Sequence, residues 1–196
     1  MTDKTSKIEQ HPLPPFFPAG AKVLMLGSFP PPRARWKMNF YYPNFQNDMW
    51  RIFGLVFFEE KDYFLTDDKK SYCEARIRSF LTEKGIALSD TAREVIRQKD
   101  NASDKFLEVV SVIRLDEVLS QLPDCRAIVT TGQKATDTLL SLLPAEEPKV
   151  GGYSDTVFRE RSLRLYRMPS SSRAYPKPLS EKAAVYGAMF RDLGLV

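Results

Sequence analysis

Three short stretches of the chain combine residue types that could do chemistry. The first, Leu26-Gly27-Ser28-Phe29-Pro30-Pro31-Pro32, leaves an apolar run through a stiff turn. Glycine permits close backbone approach there, and the prolines fix φ and leave carbonyls without competing N–H donors. The second, Phe40-Tyr41-Tyr42-Pro43-Asn44-Phe45-Gln46-Asn47-Asp48-Met49-Trp50, packs rings beside side-chain amides. Planar rings next to Asn side chains offer what an extruded nucleobase needs, a stacking platform and hydrogen bonds to its edge. The third, Met168-Pro169-Ser170-Ser171-Ser172-Arg173, sets hydroxyls, amides and one guanidinium in a proline-bounded loop, a combination that suits phosphate oxygens. Taken singly, a strand-ending turn, a slice of core and a solvated serine loop would look much the same.

The elements that must position these stretches alternate in type. Val23-Leu24-Met25-Leu26 is a continuous apolar run stopped by Gly27, the mark of a strand buried on both faces. Gly85-Ile86-Ala87-Leu88 and Arg126-Ala127-Ile128-Val129-Thr130 read as two more strands, and the alternating Ser162–Arg167 segment as a fourth. Helical spacing is predicted over Asn47–Phe53, with Asn47 as N-cap, and in the second half of Tyr63–Lys84. Further helices are expected over Leu115–Leu122, Gln133–Leu143 and Ser180–Leu193, while the polar stretch after Leu88 up to Lys105 reads as loop. Strands alternating with helices predict a three-layer α/β/α fold around a central, mainly parallel four-stranded sheet. In such sheets ligands bind beyond the carboxyl ends of the strands, where Gly27-Ser28, Thr131-Gly132 and the serine loop fall. Residues 1–20 are expected to form a proline-rich arm, and residues 21–196 one domain.

Composition narrows the chemistry. Lys and Arg outnumber Asp and Glu by 29 to 25, a net charge of +4 that is compatible with a phosphate-rich partner without singling one out. Two distant cysteines, Cys73 and Cys125, read as reduced, buried thiols and can hold neither an iron–sulfur cluster nor zinc. No metal or cofactor is expected. The single histidine, His11, lies in the arm, where a catalytic group would lack a rigid scaffold, so His-dependent chemistry is not expected. No leader-like segment or apolar run near the ~20 residues of a membrane helix is visible, so a soluble, cytoplasmic monomer with no membrane association is the expectation.

Together the three stretches resemble the motifs of the uracil-DNA glycosylase superfamily, in particular its mismatch-specific uracil and hypoxanthine-DNA glycosylase branches. "LGSFPP" followed by "FYYPNFQNDMW" resembles the Gly-x-x-Pro turn and Asn-x-aromatic-Trp helix start, and "MPSSSRA" the later Pro-Ser-rich loop. Gly85–Asp90 and Ile128–Ala135 look like the family's second strand and its Gly-x-x-Ala element, so the resemblance runs in order over residues 21–195. It implies a monofunctional DNA glycosylase of base-excision repair, acting on a flipped uracil or hypoxanthine in duplex DNA. It places Gly27, Ser28, Phe29 and Pro30 beneath the extruded nucleotide and Tyr42 against the base. Ser170, Ser171, Ser172 and Arg173 would hold the DNA, with Gly132 and Lys134 at the adjacent helix start.

Many members of the superfamily carry Asp or Asn in the first turn to position the attacking water, where this chain has Phe29 and then Pro30. The hypoxanthine branch also lacks that carboxylate, so Phe29 fits that branch. The water-positioning residue is then one of Asn47, Asn44 or Asn39, with Asn47 first. Two other readings compete. A catalytically silent DNA-binding protein on the same fold follows from the missing carboxylate. A nucleotide enzyme on a doubly wound sheet would call for GxGxxG or GxxxxGK[ST], and neither occurs.

Overall fold

The structure, a computed structural model, describes residues 7–98 and 103–196. Among these residues, eight strands and five α-helices follow one another as β1 (Ile8–Gln10), β2 (Val23–Gly27), α1 (Met49–Phe58), α2 (Glu74–Lys84), β3 (Ile86–Asp90), β4 (Ala92–Arg97), β5 (Leu107–Val112), α3 (Leu115–Ser120), β6 (Ala127–Thr131), α4 (Gln133–Leu140), β7 (Tyr153–Phe158), β8 (Arg161–Met168) and α5 (Leu179–Asp192). The main sheet has the order β3-β2-β6-β8-β7. Its first four strands run parallel, and β7 closes the edge antiparallel to β8. The sheet is therefore five-stranded and mixed rather than four-stranded. The extra strand, Tyr-Ser-Asp-Thr-Val-Phe, alternates exposed with half-covered residues along its whole length. It carries no buried apolar run that would mark it in the sequence.

Two cores sandwich this sheet. On one face Val23, Met25, Ile86, Leu88 and Val129 pack against Ile52 and Phe53 of α1, Phe80 and Leu81 of α2, and Tyr186 and Phe190 of α5. On the other, Leu24, Leu26, Ala87 and Ile128 meet Leu115 and Leu119 of α3 and Leu139 of α4. Adjacent residues of β2 thus feed opposite cores, as the two-residue strand period demands. That is why β2 is an unbroken apolar string.

The segment after Leu88 departs from the expected loop. β4 and β5 form a hairpin, and β1 from the N-terminal arm adds to it as a three-stranded antiparallel sheet. Residues 99–102 of that expected loop, like 1–6 of the arm, lie outside the described residues. The hairpin is fastened through Phe29, which is 9% exposed and packs with Ala92, Val95 and Leu107. Arg97 reinforces the attachment, pairing with Glu9 of β1 at 3.1 Å and donating to the Pro30 carbonyl at 2.9 Å. The arm is built in rather than loose: Leu13 is 5% exposed, and Phe16 exchanges both backbone hydrogen bonds with Leu88. Among the described residues, no helix is long and apolar enough to cross a membrane.

Candidate functional site

The four parallel strands end side by side, and a cleft of about 880 Å³ opens over their carboxyl ends. Gly27 ends β2, Asp90 ends β3 directly beside it in register, Thr131 ends β6, and the serine loop leaves β8. The aromatic stretch before α1 and the β4–β5 hairpin form the walls.

The floor is defined by what crowds Gly27. A Cβ there would lie 2.7 Å from Asp90 Oδ1, 3.1 Å from the Tyr42 hydroxyl and 3.7 Å from Thr131 Oγ1. Three polar atoms close on the Gly27 backbone, an approach that the absence of a side chain allows. Tyr42 reaches it from a left-handed backbone, φ 53°. That conformation is costly for a residue with a Cβ and is tolerated where the surroundings over-determine it. Its ring stands edge-on to Trp50, and its hydroxyl is 3.1 Å from Thr131 Oγ1. Burial, and next the charge of Asp90, pushes the Tyr42 phenol well above its ordinary value, so it is a protonated hydrogen-bond donor at neutral pH.

Two carboxylates that sequence reasoning did not select face this cleft. Asp104, beyond β4 on the hairpin, accepts a 2.6 Å hydrogen bond from Ser28 Oγ. Burial raises its carboxyl above the ordinary carboxylate range, partly offset by the Ser28 hydroxyl. Asp90 meets His11 instead. His11 Nε2 lies 2.7 Å from Asp90 Oδ2, with the two side chains 2% and 8% exposed. A carboxylate only accepts, so the shared proton is assigned to Nε2. His11 Nδ1 lies 3.0 Å from the Leu13 carbonyl and 3.2 Å from the Leu13 amide, and Phe29 stands edge-on to the imidazole at 5.2 Å. The arm therefore supplies the rigid scaffold that the sequence did not reveal.

The three asparagines separate. Asn39 is exposed, accepts from Arg33 at 3.3 Å and is not part of the cleft wall. Asn44 and Asn47 do line it, but their oxygens are engaged by local amides: Asn44 Oδ1 by Gln46 N–H and Asn47 Oδ1 by Met49 N–H, both at 3.0 Å. The second contact satisfies one of the free N–H groups at the start of α1, whose formal cap is Asp48.

The serine loop is braced from beneath. Ser171 is 2% exposed, which turns its hydroxyl away from solvent, and its carbonyl accepts the Asp48 amide at 2.8 Å. Ser170 Oγ and Ser172 Oγ accept the amides of Ser172 and Ala174. Lys182 of α5, 1% exposed, donates to the Ser172 carbonyl at 2.7 Å, and desolvation lowers its pKa. Arg173 pairs with Asp48 at 3.1 Å, a carboxylate it shares with Arg51 at 2.9 Å. Gly132, φ 91°, begins α4 beside Ser170 in a conformation that favours glycine. Lys134 lines the cleft and donates to the Leu107 carbonyl at 2.8 Å, tying α4 to the hairpin.

A cationic turn flanks the cleft. Arg33, Arg35 and Lys37 are all exposed on the short 3-10 turn that follows the prolines and its exit. Their contacts are to neutral groups: Arg33 lies 4.3 Å over the Trp36 ring and Lys37 5.9 Å from that of Phe45. The Trp36 indole donates to the Pro31 carbonyl at 2.8 Å, holding the turn against the site.

No family model and no curated protein matches the chain. Among solved structures it is similar to the solution NMR structure of a candidate uracil DNA glycosylase from Methanosarcina acetivorans. The similarity covers 96% of this chain and 99% of that one, with a TM-score of 0.64 and 22% sequence identity. At that identity the likeness is one of fold: the chain has the α/β architecture of that protein along nearly its whole length.

Proposed function

We propose that the chain is a monofunctional DNA glycosylase that hydrolyses the N-glycosidic bond of a deaminated base, uracil or hypoxanthine, flipped out of duplex DNA. The observation that carries this reading is the cleft over the strand ends, whose lining brings the Asp90 carboxylate and the Tyr42 and Thr131 hydroxyls together beside Gly27. The likeness in fold to a candidate uracil DNA glycosylase adds support. The missing carboxylate of the first turn does not leave the cleft without an acid, because the hairpin brings Asp104 onto Ser28.

The chemistry then divides among these groups. The C1′–N bond breaks with its electron pair leaving on the base, and the sugar gains oxocarbenium character. A water held by Asp104 adds its oxygen to C1′ and gives its proton to that carboxylate. Hydroxyls at the floor stabilise negative charge developing on the base. Asn47 and Asn44 serve as wall residues beside that reaction. The Lys134 ammonium is engaged with a carbonyl and is not offered as a nucleophile, so the product is an intact strand with an abasic site. Release of free base with strand scission only after alkali is the result expected; scission without alkali would replace this reading with a glycosylase–lyase.

Tyr42 supplies the ring against the base. Tyr42→Ala is expected to slow single-turnover base release by about 10- to 100-fold, since base–aromatic stacking is worth roughly 1–3 kcal/mol. Affinity for undamaged duplex should change little, and equal losses in the two assays would remove Tyr42 from the base site.

The DNA strand lies across the serine loop and the turn of Arg33, Arg35 and Lys37. Each cation that meets a phosphate contributes about 0.9 to the slope of log Kobs against log salt. Alanine at all three positions is expected to flatten that slope by about 2–3, and Arg173→Ala by about one. Fluorescence anisotropy across a salt series measures both, and unchanged slopes would place the DNA elsewhere.

A further inference from the structure

We infer that Lys182 is a positioning residue for DNA: from beneath the serine loop it holds Ser170 and Ser172 where their hydroxyls meet a backbone phosphate. The inference rests on the reading of that loop as a DNA contact. Lys182 lies in the first turn of α5, is 1% exposed and is not part of the cleft wall, so it does not reach the strand itself. Burying an ammonium is costly, and an apolar side chain of similar length would fill the same space with less penalty. Its hydrogen-bond partner is the neutral Ser172 carbonyl at 2.7 Å, which also accepts the Tyr175 amide at 3.1 Å. The Asp48 carboxylate, whose charge favours the ammonium against desolvation, is already shared by Arg51 and Arg173. The ground beneath the loop therefore holds more positive charge than Asp48 neutralises, which suits an anion above it.

The anchored carbonyl fixes the rest of the loop. Ser172 faces Asn47 in an antiparallel bridge, flanked by the Asp48 amide on the Ser171 carbonyl and the Arg173 amide on the Gln46 carbonyl, both at 2.8 Å. An ammonium on the Ser172 carbonyl polarises the peptide group whose N–H is that of Arg173, and so strengthens the bond to Gln46. With the backbone held this way, Ser170 Oγ accepts the Ser172 amide and Ser172 Oγ the Ala174 amide, each at 3.2 Å. Each hydroxyl keeps its own proton to donate, and both serines are half-buried in the cleft wall. A phosphate oxygen, which only accepts, fits that pair. Without the ammonium, the Ser172 carbonyl loses its charged donor and the two hydroxyls lose their fixed aim.

The test is a double-mutant cycle on DNA affinity, with Lys182→Met and the pair Ser170→Ala/Ser172→Ala made separately and together. Fluorescence anisotropy gives the Kd for an undamaged duplex, and single-turnover release from a uracil duplex gives the half-saturating protein concentration and the maximal rate. Lys182→Met is expected to raise the Kd and the half-saturating concentration by about tenfold or more, the loss typical of a charge-assisted hydrogen bond. The maximal rate should change far less, and the melting temperature should equal or exceed that of the parent, because a buried charge is gone. In the background lacking both serine hydroxyls, the same substitution should change affinity by less than about twofold, since its effect runs through those groups. A lysine that only supports the fold would cost the same affinity in both backgrounds. That additive outcome, a Lys182→Met protein that binds as tightly as the parent, or a loss confined to the maximal rate overturns the inference. If the methionine variant does not fold, Lys182→Gln takes its place: its loss of affinity must likewise vanish without the serines, and no loss or an additive loss overturns the inference. Parent-like affinity in Ser170→Ala/Ser172→Ala removes the loop from the DNA and the inference with it, leaving the reading of base release untouched. Should no duplex release a base while the anisotropy cycle holds, the glycosylase reading fails and Lys182 stands as a DNA-positioning residue.

Discussion

Replacing Asp104 by Asn is expected to lower single-turnover base release by about 10²–10⁴-fold, the range lost when a positioned general base is removed. The isosteric amide keeps an oxygen to accept the Ser28 hydroxyl, so the local geometry is retained. What it removes is the capacity to take a proton from water. Stability should move the other way. Burial raises the Asp104 carboxyl, so between the ordinary carboxylate value and the raised one the native state binds more protons than the unfolded chain. Stability therefore falls as pH rises through that window, and the ionised group is a net cost above it. Asp104→Asn abolishes this dependence and should melt at the same temperature as the parent or higher near neutral pH. The rate of the parent should rise with pH on a limb displaced above the ordinary carboxylate range, and the variant should lack that limb. A variant that keeps its activity but loses stability would make Asp104 a structural residue.

Gly27→Ala is expected to be comparably damaging through space alone. The new methyl would sit 2.7 Å from Asp90 Oδ1 and 3.1 Å from the Tyr42 hydroxyl, two groups that line the cleft. Either those groups shift or the base is raised, and a displacement of about 1 Å at a reacting centre costs on the order of 10²-fold. Overpacking of this kind costs about 1–3 kcal/mol, which lowers the melting temperature by about 2–12 °C for a domain of this size. The protein should remain folded and retain its affinity for undamaged duplex, because the proposed phosphate contacts lie outside the floor. Base release close to that of the parent would show that the base does not enter over Gly27.

How much of this was legible in the sequence follows from where burial is symmetric. β2, β3 and β6 are buried on both sides, so Val23–Leu26, Ile86–Leu88 and Ala127–Val129 stand out as apolar strings. The strand ends, and with them the location of the cleft, came with those strings. β4 and β7 did not, because Ala-Arg-Glu-Val-Ile-Arg and Tyr-Ser-Asp-Thr-Val-Phe are covered on one face at most, and charged residues interrupt them. Losing the hairpin meant losing Asp104, which in sequence is one charge in a polar stretch. Asp90 was visible at a strand end, but its partner was not: His11 is 79 residues away and is brought to it by β1, a three-residue strand. The asparagines illustrate the converse. Their types fitted the chemistry, yet Asn39 projects outside the cleft and the oxygens of Asn44 and Asn47 are taken by nearby amides. Side-chain amides near a helix start satisfy backbone donors first.

The proposed activity is cleavage, in this cleft, of the bond between a flipped, deaminated base and its sugar. The most direct measurement is single-turnover incubation of the protein in excess with duplexes carrying one uracil, hypoxanthine, xanthine or mispaired thymine. An undamaged duplex serves as control, and free base and abasic sites are both quantified. Stoichiometric release of uracil or hypoxanthine, with an equal number of abasic sites and none in the control, is the predicted result. Tight, salt-sensitive binding to all of these duplexes with no base released from any of them would contradict it, and would leave a DNA-binding protein on a glycosylase-like fold.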